Sequence, residues 1–271
     1  MPKLKVDQSF EMQYDLYDFT DPWRTDVENV LLVHGNTRNS TIWYWYVPRF
    51  GCHYRVATMD WRGHGRSALP AGYQHNMPTL ASDVRALLDH LGWSTVHYIG
   101  EATGGVIGCQ FAADYPERVS SLTMTGSATA KGAEITKDYL HHWLKLIEDG
   151  GMVAWAAAHA AETLDRSQVG AGMYDWYVGE MAKEPAEWDT AVKRWYHTYD
   201  IRPALARIKA PTQIQIAERT MFGLEHYKEM ARLIPNAELV VFYGVLHYTF
   251  MSHREETLQA MLNFLRRVSS S

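Results

Sequence analysis

Along this chain, short apolar runs alternate with segments whose apolar residues fall three and four positions apart. Glu28 to Val33, Tyr54 to Met59, Val96 to Ile99, Ser121 to Thr125, Thr212 to Ile216 and Glu238 to Phe242 are brief β-branched or aliphatic runs bounded by turn residues. Strands buried on both faces read this way. Met77 to Leu91 sets Leu80, Val84, Leu87, Leu88 and Leu91 at helical spacing, with Thr79 as a candidate cap and Gly92 just past the end. Glu255 to Val268 is a further amphipathic helix whose last turn carries Arg266 and Arg267, cations suited to the negative end of a helix dipole. The alternation predicts an α/β class, a mostly parallel central sheet with helices on both faces.

From about Lys131 to Tyr199 the pattern changes. Convincing strands are lacking, and Trp143, Trp155, Trp176, Tyr177, Trp188, Trp195 and Tyr196 sit among helix-forming residues. Aromatic side chains dominate ordinary cores, so most of these should hold a small helical subdomain together and a few should face a cleft. The expected division is a core of residues 1–130 and 201–271 with a helical insertion at 131–200.

The segment Tyr98-Ile99-Gly100-Glu101-Ala102-Thr103-Gly104-Gly105 follows a predicted strand and opens a helix. Glycines at 100 and 104 suit a turn so tight that side chains there would clash. The helix N-terminus then directs unpaired amides at any negative charge beside position 102.

These residues resemble the nucleophile elbow Gly-x-Ser-x-Gly of the α/β-hydrolase superfamily, with alanine in the serine's place. The resemblance runs from about Val30 to the C-terminus in the family's order. Val30-Leu31-Leu32-Val33-His34-Gly35-Asn36 resembles the strand ending in His-Gly. Asp60-Trp61-Arg62-Gly63-His64-Gly65-Arg66-Ser67 resembles the Asp-x-Arg-Gly-His-Gly-x-Ser loop. Tyr115-Pro116-Glu117-Arg118-Val119 resembles the exit from the helix behind the elbow. Tyr243-Gly244-Val245-Leu246-His247 resembles the loop of the catalytic histidine, although Leu246 stands where glycine is frequent.

The resemblance implies an α/β-hydrolase fold with the 131–200 segment as a helical cap, and Ser-His-acid chemistry on a carboxylic ester or lactone. His247 would be the general base, backbone amides of Asn36 and Thr103 the oxyanion hole, and residue 102 the nucleophile position. Each such amide is worth roughly 3 to 4 kcal/mol of transition-state stabilisation. For the acid, the family places a carboxylate where this chain has Thr220. Glu218 is the nearest carboxylate and the expected third member, with Glu101 as the second candidate, otherwise shaping the pocket. Glu101, Trp143, Trp155, Trp176 and Tyr177 are the expected substrate contacts, and an aromatic cap favours a small molecule with an apolar portion. His34 and His64 are expected to be structural.

Three explanations cover Ala102: a serine hydrolase inactivated by substitution, which is favoured; a ligand-binding receptor; or chemistry that uses His247 without a nucleophile, such as a lyase or cofactor-free oxygenase. A dehalogenase would carry aspartate at 102.

Composition narrows the remaining classes. The 271 residues, 46% hydrophobic and 21% charged, suit a soluble globule, and a net charge of −5 gives no reason to expect nucleic acid or an anionic membrane. Met1 to Asp21 holds no apolar block for a signal peptide or membrane span, so cytoplasmic residence is expected by default. Two cysteines, Cys52 and Cys109, cannot make a disulfide framework, and Cys109 should be buried and inert. No cofactor is implied and no metal site is expected, because histidines and carboxylates do not cluster at ligand spacings. Oligomeric state is not legible.

Overall fold

The structure, a computed structural model, describes residues 2–127 and 132–270. Its strands are β1 (Lys3–Lys5), β2 (Glu11–Tyr17), β3 (Asn29–Val33), β4 (Arg55–Asp60), β5 (Val96–Glu101), β6 (Val119–Thr125), β7 (Thr212–Arg219) and β8 (Ala237–Leu246). They form one sheet in the order β1-β2-β4-β3-β5-β6-β7-β8. From β4 to β8 every pair is parallel, whereas β1 and β2 add an antiparallel edge. That edge lies in the N-terminal segment, where the apolar pattern predicts no strand. It forms because β2 seats Met12 and Tyr14 in the core and donates the Gln13 amide to Ser67 Oγ at 2.8 Å.

The sheet separates two apolar cores, as the period-two alternation of a strand requires. Leu31 and Val33 of β3 pack with residues of helices Met77–Leu91 and Thr103–Asp114, while Val30 and Leu32 meet Trp43, Phe50 and helix Arg254–Ser269. Each such fully buried side chain contributes about 1.5–3 kcal/mol relative to exposure. Helix Met77–Leu91 has its expected bounds, but its cap is Asn76, whose side chain accepts the Thr79 amide at 2.9 Å. Thr79 therefore sits inside the first turn, and Gly92 closes the helix at φ 67°. Cys109 is fully buried and Cys52 exposed.

Between β6 and β7 the described residues form helices Gly132–Thr163, Arg166–Val169, Ala171–Met181 and Ala186–Tyr196, the first broken at Gly151 (φ 70°). The expected junction at residues 130 and 131 lies outside the described residues. No helix among the described residues is long and apolar enough to cross a membrane.

β3 leads on to β4 on one side of the sheet and its neighbour β5 leads on to β6 on the other, so a crevice opens between the carboxyl ends of β3 and β5. Gly35 and Asn36 follow β3, and Ala102 follows β5, which brings both loops to that crevice.

Candidate active site

The bend after β5 has the geometry of an elbow. Ala102 adopts φ 47° and ψ −119°, outside the regions a side chain favours, a strain of about 1–3 kcal/mol. It is held by the Ala102 amide donating to Thr125 O and the Gly105 amide donating to Ala102 O, both at 3.0 Å. A Cβ on Gly104 would lie 2.5 Å from His34 O, and one on Gly100 would lie 2.5 Å from the Gly104 backbone. Helix Thr103–Asp114 can therefore approach β3 and β5 only with glycine at both positions.

The amides of Asn36 and Thr103 have no hydrogen-bond partner among the described residues, and both residues line one cavity with Ala102 and His247. The Asn36 side chain is fixed on two sides: Nδ2 donates to Asp189 Oδ1 at 2.9 Å, and Oδ1 lies 2.9 Å from His64 Nε2. His64 stacks on Trp61 at 3.6 Å, and His34 is fully buried beside Gly35. Both histidines are structural supports of the loop.

His247 follows β8, and its Nδ1 is 3.1 Å from Thr220 Oγ1. Glu218, the expected acid, is elsewhere. β7 continues to Arg219 and turns residue 218 outward, so the exposed Glu218 carboxylate accepts the Gly244 amide at 3.0 Å. Glu101 does not reach the imidazole either. It is fully buried behind the loop after β3, where Oε2 accepts the Gly35 amide at 2.7 Å and Oε1 is 3.7 Å from Arg38 Nε. Burial raises the Glu101 carboxyl above its ordinary value, with Arg38 opposing.

The cavity is about 100 Å³ in volume and is roofed by Trp143, Trp155, His159, Val192 and Lys193 from the helices between β6 and β7. Trp143 and Trp155 thus line it. Trp176 does not; it packs edge-on against Tyr44 at 5.2 Å in a surface groove. Tyr177 lies behind the lining, its phenol oxygen accepting from Arg38 Nη2. Burial, with Arg38 adding, depresses His247 to about 3. Burial and Lys193 hold His197 at about 4. Burial is the first cause in both, and it holds the two imidazoles toward the neutral form.

Three groups at the site carried no signal in the sequence. Arg38 lies in the loop after β3, buried, with its guanidinium 4.5 Å from the Tyr248 ring centre. Asp189 and Lys193 look like an ordinary surface pair one helical turn apart, yet both are buried. Asp189 Oδ1 also accepts the Thr37 hydroxyl at 2.6 Å, and Lys193 Nζ sits 3.7 Å over the Trp155 ring. That bond restrains Thr37 at φ 63°, an uncommon conformation for a β-branched residue. Among the described residues no cluster of three His, Cys, Asp or Glu could hold a metal ion.

Comparison with known proteins agrees with this geometry. Residues 28–254 match the family model for the alpha/beta hydrolase fold. A Stutzerimonas stutzeri (strain A1501) protein bearing the name carbamate hydrolase RutD is 26% identical over 94% of this chain and 96% of its own length. The pimeloyl-[acyl-carrier protein] methyl ester esterase of Aeromonas hydrophila is 33% identical over 37% of this chain and 38% of its own. Among solved structures, the enol-lactonase from Burkholderia xenovorans LB400 superposes with a TM-score of 0.86 at 20% identity, covering 98% of this chain and 100% of that one. With the sheet order, the elbow and the family match in agreement, this chain belongs to the α/β-hydrolase fold family.

Proposed function

We propose that this chain binds a small ester, lactone or carbamate-type carbonyl compound in the cleft, with residues 131–200 as its cap, and that acyl-enzyme hydrolysis is lost at two positions, Ala102 and Thr220. The observation that carries this reading is the 3.1 Å contact between Thr220 Oγ1 and His247 Nδ1. In a working triad that nitrogen faces a carboxylate, which orients the imidazole and stabilises the imidazolium formed when serine gives up its proton. Threonine can orient the ring but carries no charge, and His247 is correspondingly weak as a base. The same weakness speaks against proton abstraction by His247 in a nucleophile-independent reaction. The retained elbow strain, the amides of Asn36 and Thr103, unpartnered among the described residues, and the cavity they line support continued ligand binding.

The test is hydrolysis of p-nitrophenyl acetate and a small lactone by the chain as it stands, by Ala102→Ser and by Ala102→Ser/Thr220→Asp. Loss of the acid costs serine hydrolases roughly 10⁴-fold, so the double variant should exceed the single one by about three powers of ten or more. Turnover by the unaltered chain, a single variant as fast as the double, or a folded but inert double variant would each overturn the reading.

A further inference from the structure

The cavity presents hydrogen-bond donors and cations to its occupant and no carboxylate. Arg38 and Lys193 both border it, while their counter-ions Glu101 and Asp189 lie outside the lining. The cationic residues therefore stand nearer the cavity than the carboxylates that hold them, with Lys193 Nζ over the Trp155 ring and Arg38 Nη1 donating to Asn36 O. Trp155 Nε1 and Trp143 Nε1 are buried without a hydrogen-bond partner among the described residues, whereas Arg38 Nε faces Glu101 Oε1. Trp155 is 2% exposed. Indole nitrogens donate and cannot accept, so an occupant that meets them must supply acceptor atoms. The unpartnered amides of Asn36 and Thr103 add two more donors on the same wall.

A hydrolase gains rate when its oxyanion hole favours the transient charge over the resting ligand. Two cations fixed beside the hole favour a resting anion instead. We propose that the oxyanion hole of this chain is a ground-state anion site that holds the carboxylate of a small organic acid between the Asn36 and Thr103 amides, Arg38 and Lys193. The inference rests on the reading of the cleft as a ligand site without acyl-enzyme turnover, and it names the charged end of that ligand. Val192, Met221 and Phe222 supply apolar surface for the remainder. The volume of about 100 Å³, below the roughly 150 Å³ of a cavity that holds benzene, suits a remainder of a few carbons.

The experiment is calorimetric titration of the full chain with acetate, butyrate and benzoate, each against its amide. At least one carboxylate should bind tenfold or more tightly than its neutral counterpart, because charge-assisted hydrogen bonds are about twice as strong as neutral ones. Trp155→Phe keeps the ring and removes one donor, and should weaken that carboxylate three- to tenfold, more than it weakens the amide, whose carbonyl makes only a neutral hydrogen bond. Lys193→Met with Asp189→Asn removes the ion pair and should abolish the preference in a chain whose circular dichroism is unchanged. Equal binding of acid and amide, no binding by any of the three acids, or a preference untouched in both variants would overturn the proposal. Ester turnover by Ala102→Ser/Thr220→Asp without any carboxylate preference defeats the anion site alone. A carboxylate preference with an inert double variant defeats only the account of lost hydrolysis.

Discussion

Thr220 Oγ1 stands 3.1 Å from His247 Nδ1 and, on its other side, donates to the Tyr227 phenol oxygen at 3.1 Å. With its proton committed to Tyr227, the hydroxyl accepts from Nδ1–H, and the imidazole is held as a neutral ring. Thr220→Asp places a negative charge there, and an opposite charge at such range raises a histidine by about 1–3 units. The His247 resonance, followed by NMR titration, should move up by that amount from about 3. An unmoved resonance would mean that residue 220 does not face the ring.

Glu184 joins the helical segment to the core by accepting the Gly65 amide at 3.1 Å. Burial, reinforced by Asp189, Asp60 and Glu180, raises its carboxyl to about 7. A carboxyl raised in the folded state adds no penalty below its unfolded value near 4.5 and destabilises increasingly as pH climbs toward 7. Glu184→Gln should therefore be the more stable form at pH 8, by up to about 3 kcal/mol, with the gap closing by pH 4.5. The comparison needs both proteins at each pH. Histidines depressed by burial, His34 and His75 at about 4 among them, separately weaken the fold as pH falls below 6.5. Paired thermal unfolding curves read the difference.

The Asp189–Lys193 pair ties the helical segment to the loop after β3. Lys193→Met alone strands a buried carboxylate and should cost about 3–5 kcal/mol, whereas adding Asp189→Asn should recover most of that loss. Urea unfolding of the two variants decides it. Equal losses would show that the pair is solvated in solution.

Glycine positions differ sharply in tolerance. Gly104→Ala drives a Cβ to 2.5 Å from His34 O, a backbone atom that cannot yield, and should cost more than about 4 kcal/mol or prevent folding. Gly179, in helix Ala171–Met181, has open space around it, so Gly179→Ala should stabilise by about 0.4–1 kcal/mol. Denaturant midpoints measured side by side test both signs.

The sequence by itself determined the strand runs, the helix Met77–Leu91 and the tight bend around Ala102, which follow from side-chain periodicity and from steric limits at glycine, both local properties of the chain. The places of His247 and of residue 220 were legible only through the resemblance to the family. Tertiary structure decided that Thr220, and not Glu218, meets the imidazole, because that depends on how far β7 runs before turning and which face residue 218 then takes. It also decided the charge of the cavity. Lys193 and Asp189 are one helical turn apart wherever that helix lies, and they become a buried pair beside the oxyanion loop only because the helix packs over the carboxyl ends of β3 and β5.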